Sequence, residues 1–385
     1  MNKVAEKIVP KIEMVDLARQ YEKIRTETDE AISRVIRSSA FINGPEVKAF
    51  QKELEQYLGV SHVIPCANGT DALQIAMMAL GLQPGDEVIT PAFTYAATVE
   101  VIALLKLKPV FVDAEPGTFN IDVSLIEKVI TSKTKAIVPV HLFGQCANME
   151  AILSIAKKNN LHVIEDTAQA IGATYRFAND ISKKAGTIGT VGCTSFFPSK
   201  NLGAFGDGGA LYTNDEALAK KIRMIANHGQ SVQYVHDEIG VNSRLDSIQA
   251  AILRIKLKHL DEYCAARSKA AAYYDNAFQG NRKITVPERS PNSSHVFHQY
   301  TLKLTGTDRN KLREYLSSKG IPSMIYYPIP LYTQQAYRSF VDKDQRFPVT
   351  ESLCASVLSL PMHTEMDDDT LHYISSTVLE FLNQS

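Results

Sequence analysis

The stretch Val163-Ile164-Glu165-Asp166-Thr167-Ala168-Gln169 changes from apolar to polar character within seven residues. We interpret its first half as the end of a buried β-strand, because short runs of β-branched residues are typical of strands. A carboxylate such as Asp166, at the carboxyl end of a buried strand, is costly unless it has a partner. The stretch therefore predicts both a strand and a polar site at its end.

Similar short apolar runs occur on both sides of this stretch, and helical segments such as 71–80 and 149–157 separate most of them. Alternating strands and helices are typical of an α/β fold with a mainly parallel sheet. In such sheets ligands bind beyond the carboxyl ends of the strands. The seven candidate strands are residues 60–66, 87–90, 109–113, 135–141, 162–166, 192–197 and 209–213.

The chain has 385 residues, which is more than one hydrophobic core usually supports, so we expect two domains. Residues 14–60 are predicted to be helical, with a turn at Asn43-Gly44-Pro45, and residues 245–280 to form one or two long helices. We expect a large domain at 1–260 and a smaller C-terminal α/β domain at 261–385. In the smaller domain the pattern predicts strands at 298–303 and 323–327 and helices at 309–319 and 366–382.

Composition and charge argue against several classes of protein. The formal net charge is −1, which gives no reason to expect a nucleic acid or an anionic membrane as a partner. The five cysteines form no C-x-x-C pair, which is typical of reduced thiols in a cytoplasmic protein. We expect neither a signal peptide nor a spanning helix, because the apolar segments are too short. His141 and His162 are interpreted as core residues, and no side-chain set has the spacing of metal ligands.

A second polar site is predicted in Cys66-Ala67-Asn68-Gly69-Thr70-Asp71-Ala72-Leu73. A strand ends there, Gly69 permits a tight turn, and a helix begins near Thr70. The N-terminus of a helix offers unpaired N–H groups and a favourable dipole to an anion. The segment could equally be a plain helix cap after a glycine turn.

Asp166 has two interpretations. A protonated pyridine nitrogen would be a suitable partner, because it keeps the carboxylate ionised while the carboxylate keeps the ring protonated and electron-withdrawing. Alternatively, Asp166 caps the helix that follows it. Gln169 lies one helical turn further on, on the same side as Asp166.

A glycine-rich loop follows the next candidate strand, in Ser195-Phe196-Phe197-Pro198-Ser199-Lys200-Asn201-Leu202-Gly203. A lysine there can reach over the carboxyl ends of the sheet. Near a cationic ring or an apolar wall its pKa falls, which frees the amine as a nucleophile. The small and hydroxylated neighbours would let backbone and hydroxyl groups close on a phosphate. Taken alone, a lysine is more often a solvated surface residue.

These segments, in this order, resemble the DegT/StrS-type sugar aminotransferases, which have the aspartate-aminotransferase fold of fold type I pyridoxal 5′-phosphate (PLP) enzymes. The resemblance covers nearly the whole chain, and the ordered set of motifs is specific although no single motif is. The other matching motifs are Phe41-Ile42-Asn43-Gly44-Pro45-Glu46-Val47, Pro91-Ala92-Phe93-Thr94-Tyr95, Gly240-Val241-Asn242-Ser243-Arg244-Leu245-Asp246, Tyr326-Tyr327-Pro328-Ile329-Pro330 and Leu360-Pro361-Met362.

The resemblance implies a transamination from L-glutamate to a keto-sugar nucleotide. Lys200 would hold PLP as a Schiff base and shuttle the proton, and Asp166 would face the pyridine nitrogen. Gln169 would contact the polar edge of the ring, and Tyr95 would stack on its face.

The resemblance also implies how the cofactor phosphate is held. Gly69, Thr70 and Ser195 would bind it from the same chain. Asn242 would reach it from the neighbouring subunit, so the active site would need a homodimer. This dimer is implied by the family alone.

Two segments, Ser-Phe-Phe-Pro-Ser-Lys and Asn-Ser-Arg-Leu-Asp, most resemble the branch that aminates C3 of keto-sugar nucleotides. Within it, the likeness is to enzymes for UDP-2-acetamido-2-deoxy-3-oxo-glucuronate, which feed bacterial O-antigen or other surface polysaccharides. Arg244 is the candidate cation for the carboxylate of a uronate, since guanidinium binds carboxylate in a bidentate manner. It could also serve packing or a salt bridge at the dimer interface. Tyr326 stands at a sugar-site position where many relatives carry histidine.

Other functions are compared with this hypothesis. Another 3-keto or 4-keto sugar nucleotide is the nearest alternative. A dehydratase of the same fold would have histidine in place of Lys200. A non-catalytic sensor would not need Lys200, Asp166 and Ser195 together. The glycines at 203–209 do not form the G-x-G-x-x-G motif of a nicotinamide enzyme. The polar stretch 177–186 is interpreted as a surface loop.

Overall fold

The computed structural model describes residues 11–384. Its helices are α1 (Leu17–Ser38), α2 (Pro45–Leu58), α3 (Gly69–Ala79), α4 (Ala96–Leu104), α5 (Val123–Ile126), α6 (Met149–Asn159), α7 (Glu216–Ala226), α8 (Ser247–Lys258), α9 (Leu260–Phe278), α10 (Arg309–Ser318), α11 (Pro348–Ser356) and α12 (Asp368–Gln384). Its strands are β1 (His62–Cys66), β2 (Glu87–Pro91), β3 (Lys108–Val112), β4 (Thr134–Ile137), β5 (His162–Asp166), β6 (Thr174–Arg176), β7 (Ser182–Lys184), β8 (Val191–Ser195), β9 (Gly209–Thr213), β10 (Gln230–Val232), β11 (Val235–His236), β12 (Ile284–Thr285), β13 (Tyr300–Leu304) and β14 (Val357–Leu360).

The largest sheet has seven strands in the order β1-β9-β8-β5-β4-β2-β3. Strand β9 is antiparallel to both of its neighbours, and the other pairings are parallel. Six strands therefore run in the same direction, and their carboxyl ends lie along one edge. The predicted α/β fold with a mostly parallel seven-stranded sheet is confirmed.

The strands of this sheet are buried on both faces, as their apolar runs predict. Every residue of β2 and β9 is buried. Helices α3 and α7 cover one face in a shared apolar cluster, and α2 and α8 pack in another cluster with β1 and β9. This packing holds the carboxyl ends of the strands in fixed positions relative to one another.

Strand β4 is shorter than the predicted strand at 135–141 and ends at Ile137. Pro139 has no N–H to donate, which interrupts the ladder at this point. Val140 then makes a single bridge with Asp166, and the N–H of His141 donates to the Asp166 carbonyl oxygen at 3.0 Å. The chain thereby leaves the sheet beside the end of β5.

A second core lies around the three-stranded sheet β12-β13-β14, with α9, α10 and α12 packed against it. The prediction of a strand at 323–327 is wrong. Strand β14, which the sequence did not predict, pairs with β13, and Met324 makes only an isolated bridge to Ser359. Proline at 322 and 328 flanks the segment, so a longer ladder there would lack donors.

The boundary between domains at residue 260 stays a prediction. Ile12, at the start of the described chain, packs in the second core with residues from α9, α10 and α12. The stretch 177–186 is mostly exposed and forms the turn and second strand of a hairpin, β6-β7, instead of an unstructured loop. All five cysteines are free. Within residues 11–384, no helix is both long enough and apolar enough to cross a membrane.

Candidate active site

Lys200 lies in a tight loop directly after β8. Its backbone N–H donates to the carbonyl oxygen of Phe197 at 2.8 Å, and Ala204 N–H closes the loop on the carbonyl oxygen of Phe196 at 2.7 Å. Burial lowers the pKa of Lys200 to about 8, and the negative charge of Asp166 opposes that change. Near neutral pH a useful fraction of the amine is therefore uncharged and nucleophilic.

Asp166 ends β5, the strand adjacent to β8, and is buried. Its Oδ1 accepts a hydrogen bond from the N–H of Ala168 at 3.1 Å, and its Oδ2 accepts one from the hydroxyl of Thr98 at 2.9 Å. Each oxygen keeps a further lone pair for another donor. Strands β5 and β8 are parallel neighbours, so Asp166 and the loop that carries Lys200 lie at the same edge of the sheet.

Gln169, three residues after Asp166, is buried, and both polar atoms of its side-chain amide are hydrogen-bonded. Its Oε1 accepts from the N–H of Phe143 at 2.7 Å, and its Nε2 donates to the hydroxyl of Tyr327 at 3.1 Å. The Tyr327 ring centroid in turn lies 6.1 Å from that of Tyr95. Tyr95, immediately before α4, leaves 60% of its side chain exposed. One chain of contacts therefore connects Gln169 with the exposed Tyr95 ring.

The N-terminus of α3 meets the end of β8. Asn68 caps α3 by accepting from the N–H of Asp71 at 2.8 Å, so Gly69 and Thr70 form the first turn. A Cβ atom at Gly69 would lie 2.7 Å from the Cβ of Ser195, so only glycine allows the two segments to approach this closely. Their N–H groups and hydroxyls, together with the helix dipole, form a site suited to a phosphate.

Three predicted site residues lie on other segments. Asn242 is exposed and pairs with Asn227 in an isolated bridge, and Arg244 is partly buried. The segment that carries Asn242 and Arg244 is held against the residues just before α3, because the hydroxyl of Ser243 accepts a hydrogen bond from the N–H of Ala67 at 3.0 Å. Tyr326 is partly buried, with its ring centroid 6.0 Å from that of Tyr327. The hydrogen bonds of the described chain do not connect these three residues with Lys200.

Sequence reasoning missed Thr98, Tyr327 and His298. Thr98 lies three residues after Tyr95, at helical spacing, which is a signal that could have identified it. His298 is buried, and its Nδ1 has no hydrogen-bond partner in the described part of the chain. Burial lowers the pKa of His298, and the positive charges of Lys200 and Arg267 lower it further. Asn201, the residue after Lys200, donates from its Nδ2 to the carbonyl oxygen of Val296 at 2.9 Å, which holds the segment of His298 against the Lys200 loop.

His141 is a satisfied core residue, as predicted. Its Nε2 lies 2.9 Å from Glu165 Oε2, and its Nδ1 accepts from the N–H of Ala147 at 3.2 Å. His162 is partly buried at the start of β5, away from the carboxyl end of the strand.

A lysine with a lowered pKa, a buried carboxylate and a helix N-terminus suited to an anion thus share the carboxyl edge of one sheet. PLP-dependent enzymes of the aspartate-aminotransferase fold use this combination, and fold and site together place the chain in that class. The profile of the DegT/DnrJ/EryC1/StrS aminotransferase family matches residues 22–379. The chain therefore belongs to that family and is a PLP-dependent aminotransferase.

Individual relatives are similar to this chain over nearly the full length of both proteins. The chain is 47% identical to the UDP-2-acetamido-2-deoxy-3-oxo-D-glucuronate aminotransferase of Pseudomonas aeruginosa, over 95% of this chain and 99% of that protein. It is 46% identical to a pleiotropic regulatory protein of Geobacillus stearothermophilus, over 96% and 98%. It is 42% identical to the UDP-N-acetyl-3-dehydro-alpha-D-glucosamine 3-aminotransferase of Acidithiobacillus ferrooxidans, over 97% and 98%.

A solved structure supports the same assignment. The structure of ntda from Bacillus subtilis with bound cofactor PMP superposes with a TM-score of 0.90 and is 31% identical. The match covers 98% of this chain and 87% of that one.

Proposed function

We propose that this enzyme transfers an amino group from L-glutamate to C3 of UDP-2-acetamido-2-deoxy-3-oxo-glucuronate. The observation that supports this substrate is the 47% identity to the UDP-2-acetamido-2-deoxy-3-oxo-D-glucuronate aminotransferase of Pseudomonas aeruginosa. The geometry supports the chemistry, because Lys200 has a lowered pKa and lies beside a buried carboxylate, Asp166, beyond adjacent strands.

The residues at the edge of the sheet fit PLP. The N-terminus of α3, with Gly69 and Thr70, and the hydroxyl of Ser195 would hold the phosphate. The close approach of Gly69 to Ser195 supports this assignment, since it brings donors from two segments together. When bound, PLP supplies an electron sink for the carbanion that forms at the amino-bearing carbon.

The side chains around the ring would each have a separate task. Asp166 would accept a hydrogen bond from the protonated ring nitrogen, for which both oxygens keep a free lone pair. Gln169, whose amide is already oriented by Phe143 and Tyr327, would contact the polar edge of the ring. The exposed ring of Tyr95 would cover one face of the cofactor.

Lys200 would act as both base and acid. Its pKa of about 8 lies close to neutral pH, so the amine can accept a proton from one carbon and return it to another. It would also hold the cofactor covalently between turnovers. The loop after β8, closed by two backbone hydrogen bonds, would keep the amine in position.

The sugar site would involve Arg244 and Tyr326. A uronate carries a carboxylate, and the partly buried guanidinium of Arg244 is the proposed partner for it. The partly buried hydroxyl of Tyr326 would contact the sugar at the position where many relatives carry histidine.

We further propose a homodimer in which Asn242 of the partner subunit completes the phosphate site. Exposure of Asn242 supports this, since its side chain is available to another chain. The neighbouring hairpin β10-β11 and the residues after it carry large exposed apolar side chains, which favour contact with a protein surface. These side chains are Val232, Tyr234, Val235 and Ile239.

We infer that the enzyme works in the cytoplasm and supplies an amino sugar for a bacterial surface polysaccharide such as O-antigen. The inference follows from the proposed nucleotide-sugar substrate. Two alternatives have support of their own. A 3-keto sugar without the carboxylate is favoured by the 42% identity to the Acidithiobacillus ferrooxidans enzyme. A regulatory role is favoured by the 46% identity to the pleiotropic regulatory protein, although Lys200 and Asp166 are both present here.

The reaction is best tested backwards, because keto-sugar nucleotides are unstable. Purified protein is mixed with PLP, 2-oxoglutarate and UDP-2-acetamido-3-amino-2,3-dideoxy-glucuronate, and glutamate formation is measured. We expect glutamate with this uronate, and none with Lys200→Ala. Glutamate only with a 4-amino sugar would keep the aminotransferase and overturn the substrate. No glutamate with any amino sugar would favour the regulatory alternative.

Arg244 is tested with a pair of sugars that differ only in the carboxylate. Arg244→Gln should raise KM for the amino uronate roughly tenfold or more, because a hydrogen-bonded ion pair is lost. KM for the matching 3-amino glucosamine nucleotide should change little. An equal rise in KM for both sugars would assign Arg244 to packing.

A further inference from the structure

Thr98 is joined to Asp166 by a buried hydrogen bond between distant parts of the chain. Its Oγ1 donates to Asp166 Oδ2 at 2.9 Å across a separation of 68 residues. Thr98 is fully buried on α4, and Asp166 is only 6% exposed. Both groups are therefore shielded from water, where a hydrogen bond to a carboxylate has its largest effect.

The hydroxyl and the Ala168 N–H bind different oxygens of the carboxylate, which fixes the plane of the group. Threonine is well suited to this task, because its branched Cβ restricts the χ1 angle in a helix. Thr98 thus fixes the orientation of the Asp166 carboxylate.

We propose that Thr98 is a positioning residue that acts through Asp166 and holds this carboxylate aimed at the ring nitrogen of the cofactor. The inference rests on the PLP site proposed above. It assigns to α4 two contributions to the site: Tyr95 just before its first turn, and Thr98 within that turn on its buried side. It also explains why a hydroxyl lies among the otherwise apolar buried residues of α4.

The test measures binding of pyridoxamine 5′-phosphate (PMP) to the full-length apoprotein. PMP carries the same ring nitrogen but forms no bond to Lys200, so its dissociation constant reports the contact with Asp166 without turnover. Thr98→Val keeps the shape and removes the donor. We expect the dissociation constant to rise roughly tenfold, the lower range for a hydrogen bond to a charged group.

Two comparisons separate positioning from simple packing. Thr98→Ser should restore binding to within about twofold of wild type, because it retains the hydroxyl. Thr28→Val is the matched control, since Thr28 is also fully buried in a helix and its hydroxyl has no partner among residues 11–384. This control should leave PMP binding unchanged. Should Thr98→Val unfold, Thr98→Ala serves in its place with the same expected loss.

A double-mutant cycle with Asp166→Ala tests whether Thr98 affects PMP binding through Asp166. If Thr98 acts through the carboxylate, Thr98→Val should have little further effect in the Asp166→Ala background. A full tenfold loss in that background, or wild-type binding by Thr98→Val alone, would overturn the inference. Wild-type binding by Asp166→Ala itself would overturn the proposed cofactor site as well, so the two failures are distinguishable.

Discussion

Neighbouring residues of β5 have separate tasks. Side chains alternate between the two faces of a strand, so Glu165 and Asp166 point in opposite directions. The Glu165 side chain lies in the protein interior, where it pairs with His141. Its carboxylate accepts hydrogen bonds from the backbone N–H groups of Gly186, Ile188 and Gly189. Asp166 keeps free acceptor capacity at the carboxyl edge of the sheet, beside the strand that precedes Lys200. One carboxylate is structural and the other is available to a ligand.

Lys200 makes the apoprotein less stable at neutral pH. The unfolded chain binds its proton more tightly, because the pKa falls from 10.5 to about 8 on folding. This loss of unfolding free energy is complete below pH 8 and disappears as the pH rises from 8 to 10.5. Lys200→Met should therefore raise the free energy of unfolding at pH 7 by about 1–3 kcal/mol, less than the full shift because the side chain is partly exposed.

The measurement is urea unfolding of the apoprotein at pH 7 and at pH 10. The gain from Lys200→Met should shrink at the higher pH. Lys220→Met, which changes an exposed lysine, is the control and should alter stability little at either pH. A Lys200→Met protein that is less stable than wild type at pH 7 would contradict the assigned pKa.

Helices α10 and α11 differ in how their N-terminal N–H groups are capped. Helix α10 is capped locally, by Asp308, which accepts from the N–H groups of Asn310 and Lys311. Helix α11 is capped from a remote segment. The carboxylate of Asp113, just after β3, accepts from Val349 N–H, Thr350 N–H and the Thr350 hydroxyl. Asp113 therefore fastens the end of the large sheet to α11.

Removing this remote cap should cost more than removing a local one. Asp113→Ala leaves buried donors without a partner, so we expect a loss of about 2–4 kcal/mol in the free energy of unfolding. Asp308→Ala is the matched control, for which the expected loss is about 1 kcal/mol. Urea denaturation of both variants measures the difference. Equal losses would show that Asp113 acts only as an ordinary cap.

The molecule as a whole leaves apolar side chains on the surface near Asn242, and the proposed homodimer would cover them. A shared active site can be tested by mixing subunits. Lys200→Ala and Asn242→Asp should each be inactive or nearly so, the second because it places a negative charge beside the phosphate.

Co-refolding the two inactive variants should restore activity. In a mixed dimer one site carries both changes and the other carries neither, so about a quarter of wild-type activity is expected from random pairing. Restored activity supports a site that spans two subunits. If the mixture stays inactive although mixed dimers form, Asn242 acts within its own chain.

The bounds of the strands show which parts of the fold the local sequence pattern predicts. Strands β5 and β9 begin and end where the sequence predicts, and nearly all of their residues are buried in the sheet, although β5 ends in two carboxylates. In the smaller sheet, residues 323–327 and β14 both contain apolar residues. Which of them pairs with β13 depends on how the chain returns to that sheet. Local sequence does not encode this choice.

The sequence by itself determined the α/β class, the seven strands of the large sheet, and the placement of Lys200, Asp166 and Gly69 after strands. These features are local, because apolar periodicity and glycine turns act over a few residues. Only the tertiary structure decided that Thr98 binds Asp166 and that Tyr327 binds Gln169. Those partners lie 68 and 158 residues apart, and only the packing of distant segments brings them within hydrogen-bond distance.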